Sequence, residues 1–136
     1  MVNKVKKVSV IIVNYNTKDI LKDCILNLEN KYQNLELIVV DNASPDGSAQ
    51  MLKQEFSHSK YPWVKIIESQ NNGISAGYNL GIKHAEGDYY LFMGSDAFPK
   101  ENTIGGMVDW MEEHSKVGIA TCKLVQRDGQ LDMDAH

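Results

Sequence analysis

The chain has 136 residues, which suits one domain built around one hydrophobic core. Hydrophobic residues make up 43% and charged residues 24%, the balance of an ordinary globular protein, and the net charge of -4 argues against a large basic surface for nucleic acid. Cys24 and Cys122 both fall in apolar segments and read as buried free thiols of a reducing compartment, not as a disulfide framework.

A short basic lead with Lys4, Lys6 and Lys7 reads as a solvated N-terminus. The apolar run that follows, Val8 to Val13, is too short for a signal-peptide core or a membrane span and predicts a buried strand. Thr17 is placed to cap a helix whose inner face is Ile20, Leu21, Cys24, Ile25 and Leu28. "LELIVV", Leu35 to Val40, predicts a second buried strand, and "DNASPDGS" is a loop by its turn chemistry. Ala49, Leu52 and Phe56 have helical spacing; Trp63 to Glu68 predicts a third strand. Ile74, Tyr78, Ile82 and Ala85 mark a third helix, Tyr89 to Met93 a fourth strand, and Ile104, Met107, Val108 and Met111 a fourth helix. Val117 to Val125 predicts a fifth strand, followed by a turn at Asp128-Gly129.

Repeated strand–helix units predict an α/β fold: a mostly parallel sheet with helices on both faces. Ligands of such sheets bind outside the carboxyl ends of the strands. The polar groups gather there: Asn14-Tyr15-Asn16, Asp41-Asn42-Ala43-Ser44, Gln70-Asn71-Asn72-Gly73 and Gly94-Ser95-Asp96. Each has a plain alternative. Asp41, Asn14 and Asn16 also suit turns, Tyr15 also suits a core edge, and Asp96 also suits an N-cap. Gly73, Gly77 and Gly81 recur every fourth residue along one helix face. Gly81 suits close packing, whereas Gly73 and Gly77 lie near the helix start, where backbone N–H groups meet anions. The G-x-G-x-x-G and P-loop patterns are absent, as are a G-x-S-x-G elbow and paired metal-ligand histidines; His58, His84 and His114 read as surface residues. A single Asp96 suffices to anchor Mg²⁺ or Mn²⁺ if the ligand brings phosphate oxygens.

"VSVIIVNYNT", "LELIVVDNASPDGS", "NNGISAGYNLGIKHAEGDYYLFMGSDAF" and "VGIATCKLVQRDGQLD" together resemble the inverting family 2 glycosyltransferases, particularly rhamnosyltransferase-like members. The resemblance implies the Rossmann-like nucleotide-binding half of a GT-A fold. It implies a nucleotide-diphosphate sugar donor, with UDP and dTDP sugars both fitting. It implies transfer with inversion to an acceptor hydroxyl on a glycan or lipid-linked acceptor, in cell-envelope polysaccharide synthesis. By that resemblance Asn14 and Tyr15 border the base and Asp41 hydrogen-bonds it. Asn72, Gly77 and Asn79 line the donor pocket, and Gly94-Ser95-Asp96 occupies the D-x-D triplet, with Asp96 the ligand of Mg²⁺ or Mn²⁺. A cytoplasmic setting at the inner face of a membrane follows from the same likeness.

Two departures bear on activity. Gly94 stands where the triplet has Asp or Asn, and the general base is expected beyond residue 136, not at Asp132 or Asp134. The chain therefore reads as the donor-binding part without the acceptor and catalytic-base part, with an exposed sheet edge that favours a homodimer. The alternative is an inactive nucleotide-binding or assembly module of the same fold. A nucleotidyltransferase ranks last, because "NYNTKD" lacks the glycine-rich basic loop of that class.

Overall fold

A computed structural model of the chain, describing residues 4–133, alternates strand and helix throughout. The order is β1 (Val8–Asn14), α1 (Lys18–Leu28), β2 (Leu35–Asp41), α2 (Ser48–Glu55), β3 (Val64–Glu68), α3 (Ile74–His84), β4 (Tyr89–Met93) and α4 (Thr103–Glu113). The four strands form one parallel sheet in the order β3-β2-β1-β4. The chain steps outward from β1 to β3, then crosses back to place β4 on the other side of β1. The order reverses between β1 and β4, which is where an open α/β sheet parts to form a crevice.

The period-2 pattern assigns each strand residue a face. Val8, Val10, Ile12, Leu37 and Val39 join Leu21, Cys24, Ile25 and Leu28 of α1, Leu52 of α2, and Ile104 and Val108 of α4 in the larger core. Ile11, Ile38 and Val40 face the other way, onto Tyr78, Leu80 and Ile82 of α3. Both faces are thus covered, which is why β1 and β2 read as unbroken apolar runs. Each fully buried aliphatic side chain contributes about 1.5–3 kcal/mol. Gly77 and Gly81 let α3 approach the sheet. A Cβ at Gly77 would lie 2.7 Å from Val13 Cγ1, and one at Gly81 would collide with Ile11. Gly77 thus belongs with Gly81 in packing, while Gly73, at φ +89°, makes the left-handed entry to the helix.

At the amino ends of the strands lies a buried charge cluster. Glu36, 4% exposed, accepts from the Ser9 hydroxyl at 2.5 Å and the Glu86 N–H at 2.6 Å. Its other oxygen faces Lys65 at 3.1 Å and Lys7 at 3.2 Å. Burial alone would raise its pKa; these four donors outweigh it and hold the carboxyl at about 2.

The expected fifth strand does not form. Residues 117–125 lie outside the sheet, Ile119 is 92% exposed, and pairing is confined to an antiparallel bridge between Val125 and Leu131 around the Gly129 turn. β-propensity records how a side chain fits a pleated, half-buried surface, and this segment has no such neighbour among the described residues. Cys24 is buried as expected, whereas Cys122, in that segment, is half-buried; both are free thiols. His58, His84 and His114 are exposed; Asp134 and His136 lie outside the described residues.

Candidate functional site

Register brings the carboxyl ends together. Asn14 pairs with Asp41 across β1 and β2, and Ile12 pairs with Met93 across β1 and β4. The loops that follow meet in one hydrogen-bonded cluster. Asn14, fully buried, donates through Nδ2 to Asp41 Oδ1 at 2.7 Å. The Ser44 hydroxyl donates to the same oxygen at 2.6 Å, and the Ser44 N–H donates to Asp41 Oδ2 at 3.1 Å. Asp41 therefore shapes its own loop, and at 1% exposure its carboxylate is nearly covered.

Thr17 stands at the N-cap position of α1 but does not cap it. Its hydroxyl donates to Asn14 Oδ1 at 2.5 Å and lies 2.9 Å from Ser95 Oγ. The capping role passes to Asp46, which accepts from the Lys18 N–H at 2.8 Å and from the Ser48 N–H at 3.0 Å. One carboxylate thus serves the starts of both α1 and α2. Burial would raise its pKa, but the Ser48 hydroxyl and the Lys18 and Ser48 N–H groups outweigh that and lower it.

The turn after β4 is fastened from three sides. Ala97 N–H closes it on Gly94 O at 3.3 Å, Cys24 Sγ donates to Ala97 O at 3.3 Å from α1, and Tyr78 OH donates to Met93 O at 3.3 Å from α3. Burial pushes the Cys24 thiol up to about 12, with the nearby Asp96 charge adding to it, so Cys24 stays a neutral anchor. Asp96 itself is exposed and has no hydrogen-bond or ion-pair partner among the described residues. Its Oδ1 lies 2.6 Å from where a Cβ of Gly94 would stand, so the carboxylate lies over the glycine backbone. No group of three or more His, Cys, Asp and Glu side chains suited to a metal occurs among the described residues. One open carboxylate beside a bare backbone still fits a hard cation that draws its remaining ligands from phosphate and water.

Among the other expected site residues, Tyr15 is 53% exposed, Asn72, Asn79 and Gly94 are exposed, and Ser95 is 9% exposed. Asn42, one of the polar residues expected after β2, donates through Nδ2 to Gly73 O at 3.2 Å, tying β2 to the start of α3, while its buried Oδ1 has no hydrogen-bond partner among the described residues. Thr17, Asp46 and Cys24 are additions to the expected site. The spacing of Asp41 and Ser44 signals a local turn, but nothing in the sequence signals that Thr17 reaches Ser95.

Residues 9–134 match the family model "Glycosyl transferase family 2", and the chain belongs to that family. The fold is the GT-A type. It matches the structure of S. aureus TarS 1–349 with a TM-score of 0.68 and 25% identity, over 80% of this chain and 33% of that one. The same protein in complex with UDP matches at 0.62 and 26%, again over 80% and 33%. Among curated proteins, the minor teichoic acid biosynthesis protein GgaB of Bacillus subtilis (strain 168) is 34% identical over 127 residues, 90% of this chain and 14% of that protein. The chain thus spans about a seventh of that relative and a third of the TarS structure. No described helix is long and apolar enough to cross a membrane.

Proposed function

We infer that this chain is the donor-binding part of a glycosyltransferase that holds a nucleotide-diphosphate sugar at the carboxyl edge of the sheet. The observation that carries this is Asp96: an exposed, unpartnered carboxylate on a fastened turn beside the β1–β4 crevice. Family membership and the UDP bound by TarS support the ligand class. Tyr15 offers an exposed ring to a base, and Asn72 and Asn79 offer amides along the rim. Asp41 receives a base donor only when Asn14 or Ser44 gives way, since both hold its carboxylate and it is nearly covered. Gly77 serves by letting α3 lie close, and Asn14 by holding Asp41 from behind.

Asp96 would hold a divalent cation, Mg²⁺ or Mn²⁺. Such a cation, when bound, neutralises the charge that develops on a departing diphosphate. What this chain's own residues do is orient: Cys24, Tyr78 and Ser95 fix the turn, and Gly94 leaves the backbone open to a bulky ligand. Inverting transfer to a glycan or lipid-linked acceptor hydroxyl also needs a general base. The family likeness favours a cell-envelope product, at the inner face of a membrane. Gly94 gives weight to a second reading, an inactive nucleotide-binding module, because the triplet's first acid is missing.

Calorimetric titration of UDP, dTDP and GDP, with Mn²⁺ and then EDTA, tests this on the chain and on Asp96→Asn. Metal-dependent binding that weakens at least tenfold in the variant is expected. Failure of all three nucleotides to bind folded protein would overturn the reading.

A further inference from the structure

Asp41 and the Gly94–Asp96 turn lie on either side of β1, and a chain of hydrogen bonds joins them through side chains alone. Its direction is fixed by chemistry. The Asp41 carboxylate accepts, so the atom of Asn14 that faces it at 2.7 Å must be the amide nitrogen. Asn14 Oδ1 is then turned toward Thr17 and can only accept, at 2.5 Å. That contact takes the single proton of the Thr17 hydroxyl. The 2.9 Å contact between Thr17 and Ser95 must therefore be a donation from Ser95. Every proton in the series points toward Asp41: Ser95 to Thr17, Thr17 to Asn14, Asn14 to Asp41. Asn14 is fully buried and Ser95 is 9% exposed, so water competes little with the inner links.

We propose that Asn14 and Thr17 form a directional relay through which Asp41 and the Gly94–Asp96 turn sense each other, and which leaves the Ser95 hydroxyl with only lone pairs to offer a ligand. Both are positioning residues. The proposal rests on the reading above, that a nucleotide engages Asp41 and a cation engages Asp96. An acceptor at Ser95 suits a cation or its bound water and disfavours a bare phosphate oxygen. A base donor that draws on Asp41 weakens its hold on Asn14. Each hydroxyl down the line then shifts, and the turn with it. The β1–β4 crevice is where such coupling matters, since the two halves of a nucleotide diphosphate would rest on opposite sides of β1.

The test uses amide NMR on the ligand-free chain, so it needs no nucleotide. Asp41→Asn replaces the charged terminal acceptor with a neutral amide, which loosens its hold on the Asn14 amide nitrogen and on the series behind it. The amide resonances of Ser95 and Asp96 are expected to move in the wild-type background and in Thr17→Ser, which keeps the hydroxyl. In Thr17→Val they are expected to move at most a fifth as far. Equal movement in Thr17→Val, or none in the wild-type background, would overturn the relay. Ser95→Ala cuts the series at its other junction and is read at Asp96 if Thr17→Val does not fold. A second arm titrates UDP with and without Mn²⁺. The enhancement of affinity by the metal is expected to fall about fivefold in Thr17→Val and to return in Thr17→Ser. Shifts that travel as expected in a protein binding none of UDP, dTDP or GDP would uphold the relay and sink the nucleotide reading. Metal-enhanced binding that is the same in all three Thr17 backgrounds would do the reverse.

Discussion

Asn14 and Asp41 end neighbouring parallel strands in register, and the amide of one donates to the carboxylate of the other at 2.7 Å in a fully buried contact. Two sequence-distant polar residues are thereby made into one unit. Asn14→Asp would set two carboxylates at that spacing, which raises the pKa of one of them. A group whose folded pKa is raised adds stability below its unfolded value and loses it as the pH climbs. Urea unfolding should therefore show Asn14→Asp weakened by about 1–3 kcal/mol at pH 7, with much of the loss recovered near pH 4. A loss independent of pH would mean that the variant fails through packing.

If Asp96 holds a cation as proposed, Gly94 limits the affinity by withholding a second carboxylate. Gly94→Asp adds a second carboxylate but also displaces Asp96, whose Oδ1 lies 2.6 Å from the new Cβ position. Because Asp96 is exposed, it can swing aside. Mn²⁺ affinity, read by calorimetry without nucleotide, is expected to rise about tenfold, or about 1.4 kcal/mol. A fall in affinity would show that the glycine supplies room the cation needs.

Glu36 gives the fold an acid limb. Its folded pKa of about 2 lies below the ordinary 4.5, so its stabilisation is complete above the ordinary value and is lost as the pH falls toward 2. Glu36→Gln should flatten stability between those two pH values and cost about 1–3 kcal/mol at pH 7. Urea midpoints across that range check it, and a wild-type curve with no acid limb would exclude the assignment.

The small residues of α3 answer to steric fit. Gly81→Ala drives a methyl into Ile11, and Gly77→Ala drives one against Val13. Each should cost about 1–3 kcal/mol of stability. Gly73→Ala meets no atom within 4 Å, but holding Ala at φ +89° is strained and should cost about 1 kcal/mol or more. Full stability in Gly81→Ala would mean that α3 lies farther from β1 than the structure places it.

The alternation of strands and helices was legible from residues 8 to 113, because buried parallel strands write themselves as apolar runs and helices as spaced stripes. The gathering of polar residues at the strand ends followed from that order. Val117–Val125 misled, since an apolar, β-branched segment looks the same whether or not a partner strand lies beside it. Thr17 misled differently: a threonine before a helix looks like a cap, but its hydroxyl turns back to Asn14 and also meets Ser95, which only the chain's return brings near. Glu36 sits at one position of an apolar run, and nothing local announces the lysines that flank it. Long-range polar contacts leave no period in a sequence.

The Glu36 cluster has a mechanical consequence. It gathers Lys7 and Ser9 at the start of β1, Lys65 on β3, and Glu86 just ahead of β4 around one residue of β2. All four strands are riveted at one end, and the loops of the site lie at the other. A sheet pinned this way keeps its strands in register from one edge, so changes in the loops at the other edge are not answered by strands slipping past one another.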